Sequence, residues 1–145
     1  MTIPRLVLDT HVWLDWLVFD DPGIVRIRNA VGTGRAEAYI DAVCEAELVR
    51  VMARGFAKRA LDAKGQAIAL ATCRRLAKRI DAAAPEGARA ALPRCGDPDD
   101  QKFLEAALAA GAQFLITKDR KLLALARKRL PFRIVRPEEF EERPR

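Results

Sequence analysis

With a single histidine, His11, and cysteines scattered at Cys44, Cys73 and Cys95, this 145-residue chain has no CxxC pair and no His–Cys grouping. That excludes a structural zinc site of the usual ligand spacing. An odd and dispersed cysteine set also argues against a disulfide framework and suits a reducing compartment. No apolar stretch approaches the roughly 20 residues that a bilayer-spanning helix requires, so no membrane association is expected. No charged-then-apolar leader with a cleavage site precedes the first apolar run, and a cytoplasmic protein is expected. Repeats, low-complexity tracts and linkers are missing too. Residues 1–145 therefore read as one domain, long enough for one good core.

What the chain does have is basic charge: 26 Lys and Arg against 20 Asp and Glu, a net charge of +6 and a pI near 9.6. Such a balance bears on partners rather than on fold, and nucleic acid is the commonest polyanion. The basic residues cluster between Arg74 and Arg79 and between Lys118 and Arg129. A cluster on one helical face can track phosphates, and it can equally be a solvated face.

The apolar pattern alternates between strands and helices. Leu6-Val7-Leu8 is a continuous apolar run, as in a strand buried on both faces of a parallel sheet. Val12 to Phe19 reads as a short helix with Trp13, Trp16 and Leu17 on one face, chiefly for core packing. Asp21-Pro22-Gly23 breaks the chain before a helix over 24–31, and Ala38-Tyr39-Ile40 is a second strand. Cys44 to Arg54 is helical, with Cys44, Leu48, Val51 and Met52 as its stripe and Gly55 as its end. Residues 58–84 are rich in helix formers, with Gly65 as the expected break. A connection follows over 85–96, with a degenerate strand expected around 90–92. Phe103 to Ala110 is helical, Phe114 to Thr117 a strand, Arg120 to Arg129 a helix and Arg133 to Val135 the last strand. Pro137 then opens a short polar tail. This alternation predicts a three-layer α/β/α sandwich around a central parallel sheet.

Carboxylates recur at the places where such a sheet binds ligands, its carboxyl edge. Asp9 follows the first strand directly, and Asp119 follows the strand over 114–117 with one residue between. Both can equally be helix N-caps. In Asp97-Pro98-Asp99-Asp100, Asp97 suits a cap, Pro98 the first helical position and the acids the helix dipole. Asp100, however, shares a face with Leu104 and Leu108, which should pack on the sheet, and a carboxylate there is costly unless its charge is compensated. Asp99 points elsewhere, as a dipole partner. Glu47 borders the apolar stripe of its helix and alone reads as a solvated side chain. Taken together, converging carboxylates repel unless a cation sits among them. Magnesium and manganese take such oxygen ligands together with water and substrate phosphates. An acidic pocket on a basic protein is what a metal-dependent nuclease needs: the pocket holds the ion and the surrounding Lys and Arg hold the polyanion.

At these residues the chain resembles PIN-domain proteins, specifically the branch of VapC-type toxins from bacterial toxin–antitoxin pairs. The matching segments are LVLDTHVWL, EAELVRVM, DPDDQKFLEAALAAGAQFLITKDRKLL and the closing IVRPEEF, in order over nearly the whole chain. The third is fairly specific and the second weak by itself. The resemblance implies a PIN-like fold and a catalytic, metal-binding set at Asp9, Glu47, Asp100 and Asp119. These would ligate Mg²⁺ or Mn²⁺, directly or through water. It further implies hydrolysis of RNA to 5′-phosphate and 3′-hydroxyl ends, homodimers, and inhibition by a small antitoxin protein whose tail covers the groove. Three positions depart from the family pattern. His11 stands where asparagine is common, either contacting a phosphate or, preferentially, packing beside the strand. Lys121 replaces a frequent acid. Asp41 replaces a small hydroxyl residue and is a candidate to compensate for Lys121. Thr117 keeps a hydroxyl near the last acid.

Two other classes of function compete with an endoribonuclease toxin. One is a catalytically weak PIN domain acting mainly as a binding partner in an antitoxin or repressor complex. The other is aspartyl-phosphate chemistry on a similar sheet. A phosphatase of that kind needs a second acid two residues after its nucleophile, where this chain has His11.

Overall fold

The computed structural model describes residues 2–55 and 61–142. Five strands, β1 (Arg5–Leu8), β2 (Glu37–Ile40), β3 (Ala77–Arg79), β4 (Phe114–Ile116) and β5 (Arg133–Val135), form one sheet in the order β3-β2-β1-β4-β5. Every neighbouring pair is parallel; in register, Leu6 faces Ala38 on one side and Phe114 on the other. Leu6, Val7 and Leu8 of β1 and all three residues of β4 are buried. Since successive strand residues point to opposite faces, both faces of the central sheet must be covered, as an α/β/α sandwich requires. The covering helices are α1 (Thr10–Leu14), α2 (Val25–Gly32), α3 (Ala42–Arg54), α4 (Ala63–Leu76), α5 (Glu86–Ala90), α6 (Gln101–Ala110) and α7 (Arg120–Leu123).

Strand order positions the site. From β1 the chain builds outward through β2 and β3 on one side, then returns to build β4 and β5 on the other. The reversal falls between β1 and β4, and the crevice at their carboxyl ends is the topological switch point. Asp9 leaves β1 there, and Thr117-Lys118-Asp119 leaves β4. A hydrogen bond from Asp9 N–H to the Ile116 carbonyl at 3.1 Å holds these exits side by side, and Thr117 N–H ties the second of them to β5 through the Val135 carbonyl at 3.0 Å.

Several elements differ from the sequence expectation. The helix expected over 12–19 starts at Thr10 and, after Leu14, continues as a π-helical turn over Asp15–Phe19. Trp13 is buried and stacks on the half-buried Trp16 with centroids 5.6 Å apart, so the tryptophans do serve the core. The extra strand is not at 90–92, where α5 ends, but at Ala77–Arg79. Gly65 does not break α4; its N–H caps the first turn by donating to Asp62 at 2.7 Å. Residues 58–60 of the helix expected over 58–84 lie outside the described residues. Helix α7 is only four residues long before a 3₁₀ turn, Ala124–Arg127. The closing segment is not merely a polar tail: Phe140 is buried and meets Phe114 edge-on at 5.3 Å.

Candidate metal centre

Asp9, Glu47, Asp100 and Asp119 line one cavity of about 240 Å³. They arrive there from four elements. Asp9 follows β1, Glu47 lies on α3, Asp100 closes a 3₁₀ turn (Pro98–Asp100) before α6, and Asp119 precedes α7. Along the sequence no two of them are nearer than 19 residues, and the switch point gathers them at one sheet edge.

Capping and site membership prove compatible. Asp9 Oδ1 accepts from Val12 N–H at 2.9 Å and caps α1, while its Oδ2 accepts a short hydrogen bond from the Thr117 hydroxyl. Burial pushes the Asp9 carboxyl above its ordinary value, and the donors Thr117 and Val12 oppose that push. Asp119 accepts from Lys121 and Leu122 N–H at 3.1 Å, both on Oδ2, and its own N–H donates to Thr117 Oγ1 at 3.0 Å. Thr117 is fully buried and so ties the first acid to the last.

Glu47 has both oxygens engaged. Lys102 Nζ stands 2.5 Å from Oε1, and the Thr10 hydroxyl donates to Oε2 at 2.5 Å. Burial alone would raise its carboxyl, but these two donors bring it below the ordinary value. Asp100 differs: among the described residues no donor or cation meets its carboxylate. Burial first, then the charges of Asp119, Asp97, Asp9 and Glu47, push it up to about 6.

Asp97, Asp99, His11 and Arg54 also line the cavity. Asp97 caps the 3₁₀ turn through Asp99 N–H at 3.0 Å, as expected of it, whereas Asp99 belongs to the cavity wall and is more than a dipole partner. His11 is exposed at the cavity, not packed beside the strand. Asp41 is not in this cavity; it caps α3 through Cys44 N–H at 2.8 Å and faces a separate hollow with Asp81 and Arg89, so it cannot replace an acid lost at Lys121. Lys121 contributes only backbone to Asp119, its stem lying against Gly96. Sequence reasoning missed Thr10, Lys102 and Arg54. The signal for Lys102 was available: it lies two residues beyond Asp100 at a helix start, where a lysine opposes the dipole.

A family model described as PIN domain matches residues 5–121. The chain belongs to the PIN-domain family. Its members are generally nucleases, and they typically use divalent metals. No curated protein and no solved structure matches this PIN domain. Among the described residues no three His, Cys, Asp or Glu side chains form a ready-made ligand cluster. The donor chemistry of the four acids nevertheless fits a hard cation: all are carboxylates, and one of them, Asp100, is unpaired and pushed up by burial and then by its neighbours' charge. No helix among the described residues is long and apolar enough to cross a membrane.

Proposed function

We propose that this PIN domain is a metal-dependent endoribonuclease, using Mg²⁺ or Mn²⁺, and the toxin of a toxin–antitoxin pair. The observation that carries the reading is the gathering of Asp9, Glu47, Asp100 and Asp119 on one cavity at the switch point of the sheet. Asp9, Asp100 and Asp119 are the acids that would hold the ion directly, and Glu47, on the same cavity, would meet it through water. A bound divalent cation would supply activation of water and stabilisation of charge on a phosphoryl oxygen. The protein's own groups do the rest. Thr117 fixes the Asp9 carboxylate, the first turn of α7 fixes Asp119, and neither has to reorganise for reaction. Arg54 and His11, on the same cavity, offer N–H donors to the phosphates flanking the scissile bond. In-line attack by water would leave 5′-phosphate and 3′-hydroxyl ends. The chain would act as a homodimer in the cytoplasm, and a small antitoxin would silence it by covering this cavity with its tail.

Purified protein and a single-stranded RNA test the reading. Cleavage is expected with Mg²⁺ or Mn²⁺, abolished by chelator and reduced roughly a hundredfold or more in Asp9→Asn and Asp100→Asn. If wild type and both variants behave alike with either ion, the domain is a binding partner and not an enzyme. A short neighbouring reading frame for a small DNA-binding protein, whose product suppresses the cleavage, is the expected sign of the toxin role.

A further inference from the structure

The acids of the cavity are not equivalent. One of them, Glu47, is already paired by the protein. Lys102 lies in the first turn of α6, two residues beyond Asp100, and reaches back to Glu47 on α3. The side chains of Lys102 and Glu47 are only 16% and 19% exposed, so the pair is poorly screened and unlike a surface ion pair. Lys102 Nζ also lies 5.9 Å from the centroid of Phe103, a ring that itself borders the cavity. With Thr10 on the other oxygen, each Glu47 oxygen already accepts one hydrogen bond, and one of the two donors is a full positive charge. Asp9, Asp100 and Asp119 feel one another's charge, Asp100 feels that of Glu47 as well, and no lysine or arginine is paired with any of the three among the described residues.

We infer that the Lys102 ammonium is a resident cation that holds Glu47 and restricts the cavity to one divalent ion, taken by Asp9, Asp100 and Asp119. The inference rests on the metal-dependent reading above. A second divalent ion on the α3 side, as in two-metal nucleases with ions about 3.5–4 Å apart, would need Glu47, the acid that α3 contributes to the cavity, as a ligand. It would have to approach an ammonium already seated on that carboxylate, or evict it. Like charges at such separations in a partly desolvated cavity repel strongly. Lys102 is therefore a positioning residue: it acts through Glu47 and sets how many ions the site accepts.

Manganese binding to the purified chain reads this directly, with free Mn²⁺ followed by electron paramagnetic resonance and the stoichiometry checked by calorimetry. Wild type is expected to bind one equivalent, lost in Asp9→Asn. Lys102→Met, which keeps the apolar stem, should take up a second equivalent, whereas Lys102→Arg should stay at one. Lys102→Gln serves as a second neutral variant should the methionine variant fail to fold. Two equivalents in wild type, or one in every folded neutral variant, overturn the resident-cation role while leaving metal binding intact. No bound manganese in wild type removes the metal-dependent reading itself, and this inference with it.

Discussion

The carboxylates of the cavity answer to different donors, and that difference sets how each titrates. Asp100, unpaired and pushed up to about 6 by burial and by neighbouring charge, holds a proton more readily than an ordinary aspartate in the metal-free protein. Its folded-state value lies above the ordinary 3.8, so its protonated form favours folding. That contribution is present at low pH and is lost as pH rises toward and through 6. The Asp100→Asn variant should therefore stabilise the metal-free protein at pH 7, by about 1 kcal/mol after allowance for screening, while abolishing cleavage. Thermal unfolding of both proteins at pH 5 and 7 with chelator checks it; an Asp100→Asn variant less stable at pH 7 would contradict it. Manganese affinity has the matching sign, weakening as pH falls through 6 because the ion competes with a proton for the same carboxylate. At this scale Asp9 and Asp119 were legible because they punctuate strand exits. The ties made by Thr10 and Lys102 were not, because their partner Glu47 is 37 and 55 residues away.

Elements with a hydrophobic signature emerged where their residues indicated. Strand β4 and the Leu6–Leu8 part of β1 are apolar throughout, and α3 buries Cys44, Leu48 and Met52 from its expected stripe. Strand β3 has no such signature: Ala77-Lys78-Arg79 is half-exposed to exposed and owes its form to pairing with Ala38-Tyr39-Ile40. An edge strand made of a basic run cannot be told from a solvated helix by periodicity. The same region is anchored by buried Glu45 of α3, which accepts from Arg74 and Arg79 at 2.8 Å each. Glu45→Ala should cost about 1–2 kcal/mol, measured by denaturant unfolding. The Arg74 and Arg79 donors hold Glu45 below its ordinary 4.5, so this contribution is present above pH 4.5 and is lost as pH falls below it. At the far end of α6, Gly111 adopts φ +61°, and an added Cβ would meet nothing nearer than Arg5 Nη1 at 3.9 Å. Gly111→Ala should thus cost about 1 kcal/mol through backbone conformation and not through collision. A loss several-fold larger would place an unseen contact there.

Over the whole molecule, parallel β1 and β4 put two strand exits side by side, and the helices on either side bring the remaining acids to the same edge. The sandwich could be read from alternation alone; the strand order could not, since it depends on which strands pair at long range. A net charge of +6 surrounding an acidic cavity implies that RNA is held mainly through phosphates. Affinity of the Asp100→Asn variant for single-stranded RNA should fall between 50 and 200 mM salt, by roughly 20-fold if three phosphates are contacted. A salt-independent affinity would contradict that picture. The most direct measurement is anomalous diffraction from a crystal of the wild-type chain soaked in manganese. The account predicts a manganese peak bounded by the carboxylates of Asp9, Asp100 and Asp119. A cavity without that peak, in crystals where manganese has bound elsewhere, would contradict it.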